Sequence, residues 1–77
     1  MKEIVEVIAK SLVDHPESVQ VDEEQEQEGG EIVLRLHVAE DDMGKVIGRQ
    51  GRIAKALRTV VKAAATRENK KVTVEIE

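Results

Sequence analysis

The sequence predicts an α+β domain: a three-stranded sheet covered on one face by three helices, in the order helix, strand, strand, helix, helix, strand. Three observations predict it. Apolar residues recur at helical spacing near the N-terminus and again between residues 52 and 66, and they alternate with polar residues in three short stretches. The 77 residues suffice for one core and are too few to divide into two, so residues 1–77 are expected to form one domain.

The first helix is predicted from Ile4, Val5, Ile8 and Leu12, a stripe that Val7, Ala9 and Val13 widen, with Lys2, Glu3, Glu6 and Lys10 opposite. It should stop near Asp14, because Pro16 cannot continue a helix and disfavours helical backbone at His15. Val19 and Val21 alternate with Ser18, Gln20 and Asp22, and Ile32, Leu34, Leu36 and Val38 alternate with Val33, Arg35 and His37, which predicts a hairpin with one buried face. Its turn is not located: residues 23–28 have little strand propensity, so either the first strand is short or the connection is long. Asp41 or Asp42 is placed to cap a short helix through Ile47. Ile53, Ala56, Leu57, Val60, Val61 and Ala64 mark a longer helix from about Arg52 to Thr66, Arg67 to Lys70 read as a loop, and Val72, Val74 and Ile76 alternate in a closing strand.

Composition narrows the function. No cysteine is present, so the aliphatic core works without disulfides or a thiolate zinc site, and no cofactor is expected. No apolar run reaches membrane length and the N-terminus lacks a leader pattern, which makes no membrane and a cytoplasmic location the expectation. The net charge of −4 conceals a division: residues 1–42 carry 3 basic and 13 acidic residues, and residues 43–77 carry 9 basic and 3 acidic. Lys45, Arg49, Arg52, Lys55, Arg58 and Lys62 follow one another with no acidic residue between them.

Within that basic half, Gly44-Lys45-Val46-Ile47-Gly48-Arg49-Gln50-Gly51-Arg52-Ile53 joins two predicted helices. Two glycines three apart permit a tight turn whose backbone another chain can approach. The following helix aims unpaired N–H groups and its positive dipole end at that turn, which suits phosphate. Arg49 and Gln50 project from the turn, and Arg52, Lys55, Arg58 and Lys62 recur along the helix as a basic stripe.

Val46 to Ile53 resembles the VIGxxGxxI signature of KH domains, and the element order is similar to that of their type II, mainly bacterial, form. Over its full length the chain resembles the KhpA family of small bacterial single-KH proteins. The resemblance implies a groove lined by the helices around the glycine loop, a strand and the loop before the last strand, holding roughly four nucleotides of single-stranded RNA. It implies backbone approach at Gly48 and Gly51, phosphate contact by Arg49 and Gln50, and an apolar floor from Val46, Ile47 and Ile53. Lys45, Arg52, Lys55 and Arg58 complete the expected RNA-binding set, and Arg67, Lys70 and Lys71 extend it. The role implied is an RNA chaperone or post-transcriptional regulator, with a homodimer and a heterodimer with a larger KH-containing RNA-binding protein.

Each feature also has a plainer explanation. The glycines could only shape a helix junction, and the basic stripe could be an ordinary solvated face, although surface helices normally mix both signs. His15 and His37 read as a surface turn residue and an outward strand residue rather than ligands, and no metal site is expected. Ser11 has no recognisable catalytic partners and residues 22–28 lack calcium-loop spacing, so no enzyme is expected. The absence of Phe, Tyr and Trp excludes the aromatic platforms of RRM and OB folds. The competing class is a protein-interaction module, because Ile53, Val60, Val61, Ala63, Ala64 and Ala65 offer more apolar helix surface than one sheet must cover. Replacing Gly48 and Gly51 together by Asp is expected to abolish RNA binding with the fold largely intact, and Val60→Asp or Val61→Asp to disturb dimerisation or folding.

Overall fold

The computed structural model describes residues 1–25 and 30–77. Helix α1 (Lys2–Leu12) is followed by a 3-10 turn at Pro16–Ser18, strands β1 (Gln20–Gln25) and β2 (Glu31–His37), a 3-10 turn at Glu40–Asp42, helix α2 (Met43–Ile47), helix α3 (Arg52–Arg67) and strand β3 (Lys71–Ile76). The sheet order is β1-β2-β3, with β1 antiparallel and β3 parallel to β2. The parallel pair requires a crossover, and α2 and α3 with the glycine loop between them are that crossover.

Alternation in β2 works as the sequence predicts: Ile32, Leu34 and Leu36 are buried and the residues between them are half-buried. They meet Val21 and Val74 in the sheet and Val5, Ala9, Val46, Leu57 and Val61 from the helices, a core of aliphatic side chains. Full burial of one such side chain contributes about 1.5–3 kcal/mol. The opposite sheet face is charged, with Arg35 between Glu24 of β1 and Glu75 of β3.

Three local features differ from expectation. β1 runs to Gln25 although only Val21 of it is buried, because pairing with β2 overrides weak propensity from Glu23 onward. This removes the short-strand alternative, and the hairpin turn itself lies outside the described residues. A 3-10 turn beginning at Pro16 separates α1 from β1. Helix α3 continues to Arg67, where Asn69 takes a left-handed conformation with φ 58°. There the Lys70 N–H donates to the Ala65 carbonyl at 2.8 Å and the Asn69 N–H to the Thr66 carbonyl at 3.1 Å, closing the helix and turning the chain into β3.

Candidate nucleic-acid interface

The site begins at the end of α2. The Gly48 N–H donates to the Gly44 carbonyl at 2.9 Å, and the chain then leaves the helix with Gly48 at φ 77°, ψ 174°, a conformation essentially reserved for glycine. Gln50 (φ 58°) and Gly51 (φ 72°) are left-handed, and the Gly51 N–H closes the turn on the Gly48 carbonyl at 3.2 Å. Among the described residues, the N–H groups of Arg49 and Gln50 meet no acceptor in the loop or its helices, so they are available to an anion.

The spacing of the motif has a steric cause. A Cβ on Gly48 would lie 2.5 Å from Ile53 Cγ1 and 2.9 Å from Ile53 Cβ. Ile53, on the first turn of α3, therefore occupies the space a side chain at position 48 would need. Gly51 differs: nothing lies within 4 Å of its would-be Cβ, and its glycine answers to φ alone. The expectation that both glycines accept Asp without disturbing the core is thus corrected for Gly48.

The structure distributes the expected residues unevenly. Val46 is buried and belongs to the core, Ile47 is exposed beside the loop, and Ile53 is half-buried. Arg49, Gln50, Arg52, Lys55 and Arg58 are exposed. Arg52 reaches Gln50 Oε1 at 3.3 Å, and Arg58 Nε lies 3.4 Å from the Val74 carbonyl, which carries it toward β3. Lys62, Thr66, Lys70, Lys71 and Thr73, together with Glu31, line a groove between the end of α3 and β3, so Lys70 and Lys71 of the expected extension adjoin the basic flank; Arg67 instead lines a groove with Val60, Ala63 and Ala64. Among the described residues, Arg49, Arg52, Lys55, Arg58 and Lys62 form no ion pair.

Lys45 is different. Its ammonium pairs with Asp14 and lies 3.2 Å from Asp42 Oδ1. Of the two residues expected as a helix cap, Asp41 and Asp42, the second holds the N-cap position of α2, but its side chain makes no capping bond to the backbone of that helix. Fully buried, it turns back to α1 and accepts from the N–H groups of Asp14 (3.2 Å) and His15 (2.9 Å). Burial opposes its charge most strongly, yet the two N–H donors and Lys45 outweigh that cost and hold the carboxyl below its ordinary range. His15 pairs with Asp41 at 3.2 Å, and that hydrogen bond raises the imidazole above its ordinary value. His15, Asp41 and Asp42 lie close enough to share a cation, but both Asp42 oxygens already serve the helix end and Lys45.

A mainly apolar groove lies along the neighbouring flank of α3, lined by Ile8 and Leu12 of α1 and by Ile53, Ala56, Leu57 and Val60, with Arg52 at the border between it and the basic flank. Val60 is 46% exposed, whereas Val61 and Ala65 are core residues, so the apolar surplus read from the sequence divides between inside and outside. No helix among the described residues is long and apolar enough to cross a membrane.

Comparison with known proteins agrees with this architecture. The family model described as KhpA/KhpB, KH domain, matches residues 2–76. The RNA-binding protein KhpA of Clostridium perfringens is 68% identical over 99% of both chains. Those of Clostridium acetobutylicum and Caldanaerobacter subterraneus are 63% and 57% identical, again over 99% of both chains. The fold is also found in the crystal structure of an Aquifex aeolicus Era variant bound to GDP and aluminium fluoride. That match has a TM-score of 0.56 and 20% identity, and covers 96% of this chain and 28% of that one. Full-length similarity to these bacterial proteins, a type II KH element order and the glycine loop at its crossover converge: the chain belongs to the KhpA/KhpB family of KH domains, a family of RNA-binding proteins rather than of enzymes.

Proposed function

We propose that this protein binds single-stranded RNA by seating the sugar-phosphate backbone on the loop Gly48 to Gly51, and that it acts in the cytoplasm as an RNA chaperone or post-transcriptional regulator. The observation that carries this reading is the loop itself. Positive φ at Gly48, Gln50 and Gly51 leaves two N–H groups without acceptors, beside arginines and a lysine that no carboxylate neutralises among the described residues. A phosphate there gains N–H donors, the positive end of α3 and mobile cations together.

Arg49 and Gln50 are the nearest side chains to that phosphate. Arg52, Lys55 and Arg58 continue the cationic flank, and Ile47 and Ile53 supply apolar surface against which a base can lie. The relatives' description as RNA-binding proteins supports the choice of RNA. Because the chain has no aromatic platform, stacking contributes little and the phosphate contacts dominate, which predicts a steep salt dependence and a loose sequence preference. Titration of short fluorescent single-stranded RNAs over a salt series tests this: binding insensitive to salt would sink it.

The exposed groove along Ile8, Leu12, Ile53, Ala56 and Val60 favours a second, compatible property, association with another KH chain. We assign to it both a homodimer and a heterodimer with a larger KH-containing RNA-binding protein; a family description that names both KhpA and KhpB supports looking for such a partner. Sedimentation of wild type and Val60→Asp decides whether this flank is the interface.

A further inference from the structure

We infer that Lys45 and Asp42 form a latch that positions the glycine loop, and that Lys45 influences RNA through α2 without touching phosphate. The functional half of this inference rests on the RNA-binding reading above; the structural half stands on its own.

Helix α2 has five residues, too few to hold a helix by hydrogen bonding alone, and no side chain caps its start. Its placement comes from Val46 in the core and from the tie at its first turn. That tie centres on Asp42, the buried charged residue among those described. Asp42 receives the N–H groups that follow the end of α1, at Asp14 and His15, and it receives Lys45 from one turn along α2. Lys45 also pairs with Asp14, so a single ammonium joins the end of α1 to the start of α2. Since Gly48 is bonded to Gly44 of the same helix, any tilt of α2 moves the loop.

The charge arithmetic separates Lys45 from its neighbours in sequence. Arg49, Arg52 and Lys55 have no carboxylate partner among the described residues and are free for phosphate, whereas Lys45 is matched by two carboxylates, one of them buried. Moving it to a phosphate would withdraw a partner from the buried charge. A loosened α2 instead lowers the fraction of molecules whose loop is ready to bind, and apparent affinity falls in proportion to that fraction.

The test compares Lys45→Met, Asp42→Asn and Arg49→Ala in titrations of short single-stranded RNAs, from roughly 50 to 200 mM salt. Arg49→Ala is expected to flatten the salt slope by about 0.7, the loss of one phosphate contact on a single strand. Lys45→Met should weaken binding roughly threefold or more at every salt concentration with the slope unchanged, and Lys45→Arg should restore most of it. Asp42→Asn removes a negative charge and would tighten binding if charge alone mattered; the latch predicts weaker binding. A slope loss in Lys45→Met equal to that in Arg49→Ala, or tighter binding by Asp42→Asn, overturns the inference. If wild type binds no RNA, the functional reading fails instead, and the latch is then judged by urea unfolding. Non-additive effects of Asp42→Asn and Lys45→Met support it, and additive effects refute it.

Discussion

Replacing Gly48 by Ala is the most exacting perturbation of the loop, because two separable costs act at one atom. The backbone at φ 77°, ψ 174° is strained for any L side chain, at about 1–3 kcal/mol. The new methyl would also stand 2.5 Å from Ile53 Cγ1 and 2.9 Å from Ile53 Cβ. Ile53 Cβ is fixed to the first turn of α3 and cannot swing aside, so relief requires a shift of helix against loop, an overpacking cost of about 1–3 kcal/mol. The total of about 2–6 kcal/mol, at about 4–8 °C per kcal/mol for a domain this size, lowers the melting temperature by at least about 8 °C. Gly51→Ala carries only the left-handed backbone cost of about 1–2 kcal/mol, since its side chain enters open space. Thermal and urea unfolding by circular dichroism measure both. Adding Ile53→Ala to Gly48→Ala should recover part of the loss, giving a double variant less destabilised than the sum of the singles. Equal effects of Gly48→Ala and Gly51→Ala, or strict additivity with Ile53→Ala, would refute the steric account of the motif.

Val61→Asp buries an unpaired carboxylate in the core and should unfold the domain, a loss above about 4 kcal/mol. Val60→Asp, 46% exposed, should leave the melting temperature nearly unchanged and reduce self-association in sedimentation. For pH, the two groups at the latch act in opposite windows. The depressed Asp42 carboxyl contributes stability above the ordinary value of 3.8 that disappears as pH falls through its lowered one. The raised His15 imidazole contributes fully below 6.5 and loses its contribution as pH rises through its higher value. Melting temperatures of wild type and His15→Gln should therefore converge in alkaline buffer and differ slightly near pH 6, with the difference shrinking in salt because both partners are exposed.

Much of this was legible because period and position decide it. Ile32, Leu34 and Leu36 alternate in the sequence and alternate in burial. The signature Val46 to Ile53 spans the junction of two helices as predicted, with Gly48 to Gly51 between them, and the basic residues after it remain exposed. What escaped depends on contacts distant in sequence. Strand β1 continues through Glu23, Glu24 and Gln25 because β2 lies beside it, which local propensity cannot register. Asp42 reads as a helix cap from its neighbours, but its partners are the N–H groups of residues 14 and 15, 28 and 27 positions away. Lys45 looks like one more cation in a basic run until Asp14 is brought to it. Val60 and Val61 are adjacent in sequence and point to solvent and core respectively, a division that the helical period contains once the inward face is known. Asn69 carried a readable signal, since Asn is among the residues that close a helix in the left-handed conformation, and it would have placed the end of α3 after Arg67.

The claim that the glycine loop is a phosphate clamp is tested most directly with Gly51→Asp, because aspartate tolerates the left-handed backbone and its side chain there enters open space. RNA affinity across a salt series is measured for wild type and Gly51→Asp, with both melting temperatures recorded alongside. The account predicts wild-type binding that falls steeply with salt and a folded Gly51→Asp variant at least roughly tenfold weaker, since a carboxylate then faces the phosphate. Wild-type affinity retained in folded Gly51→Asp would contradict it and leave the apolar flank of α3 as the functional surface.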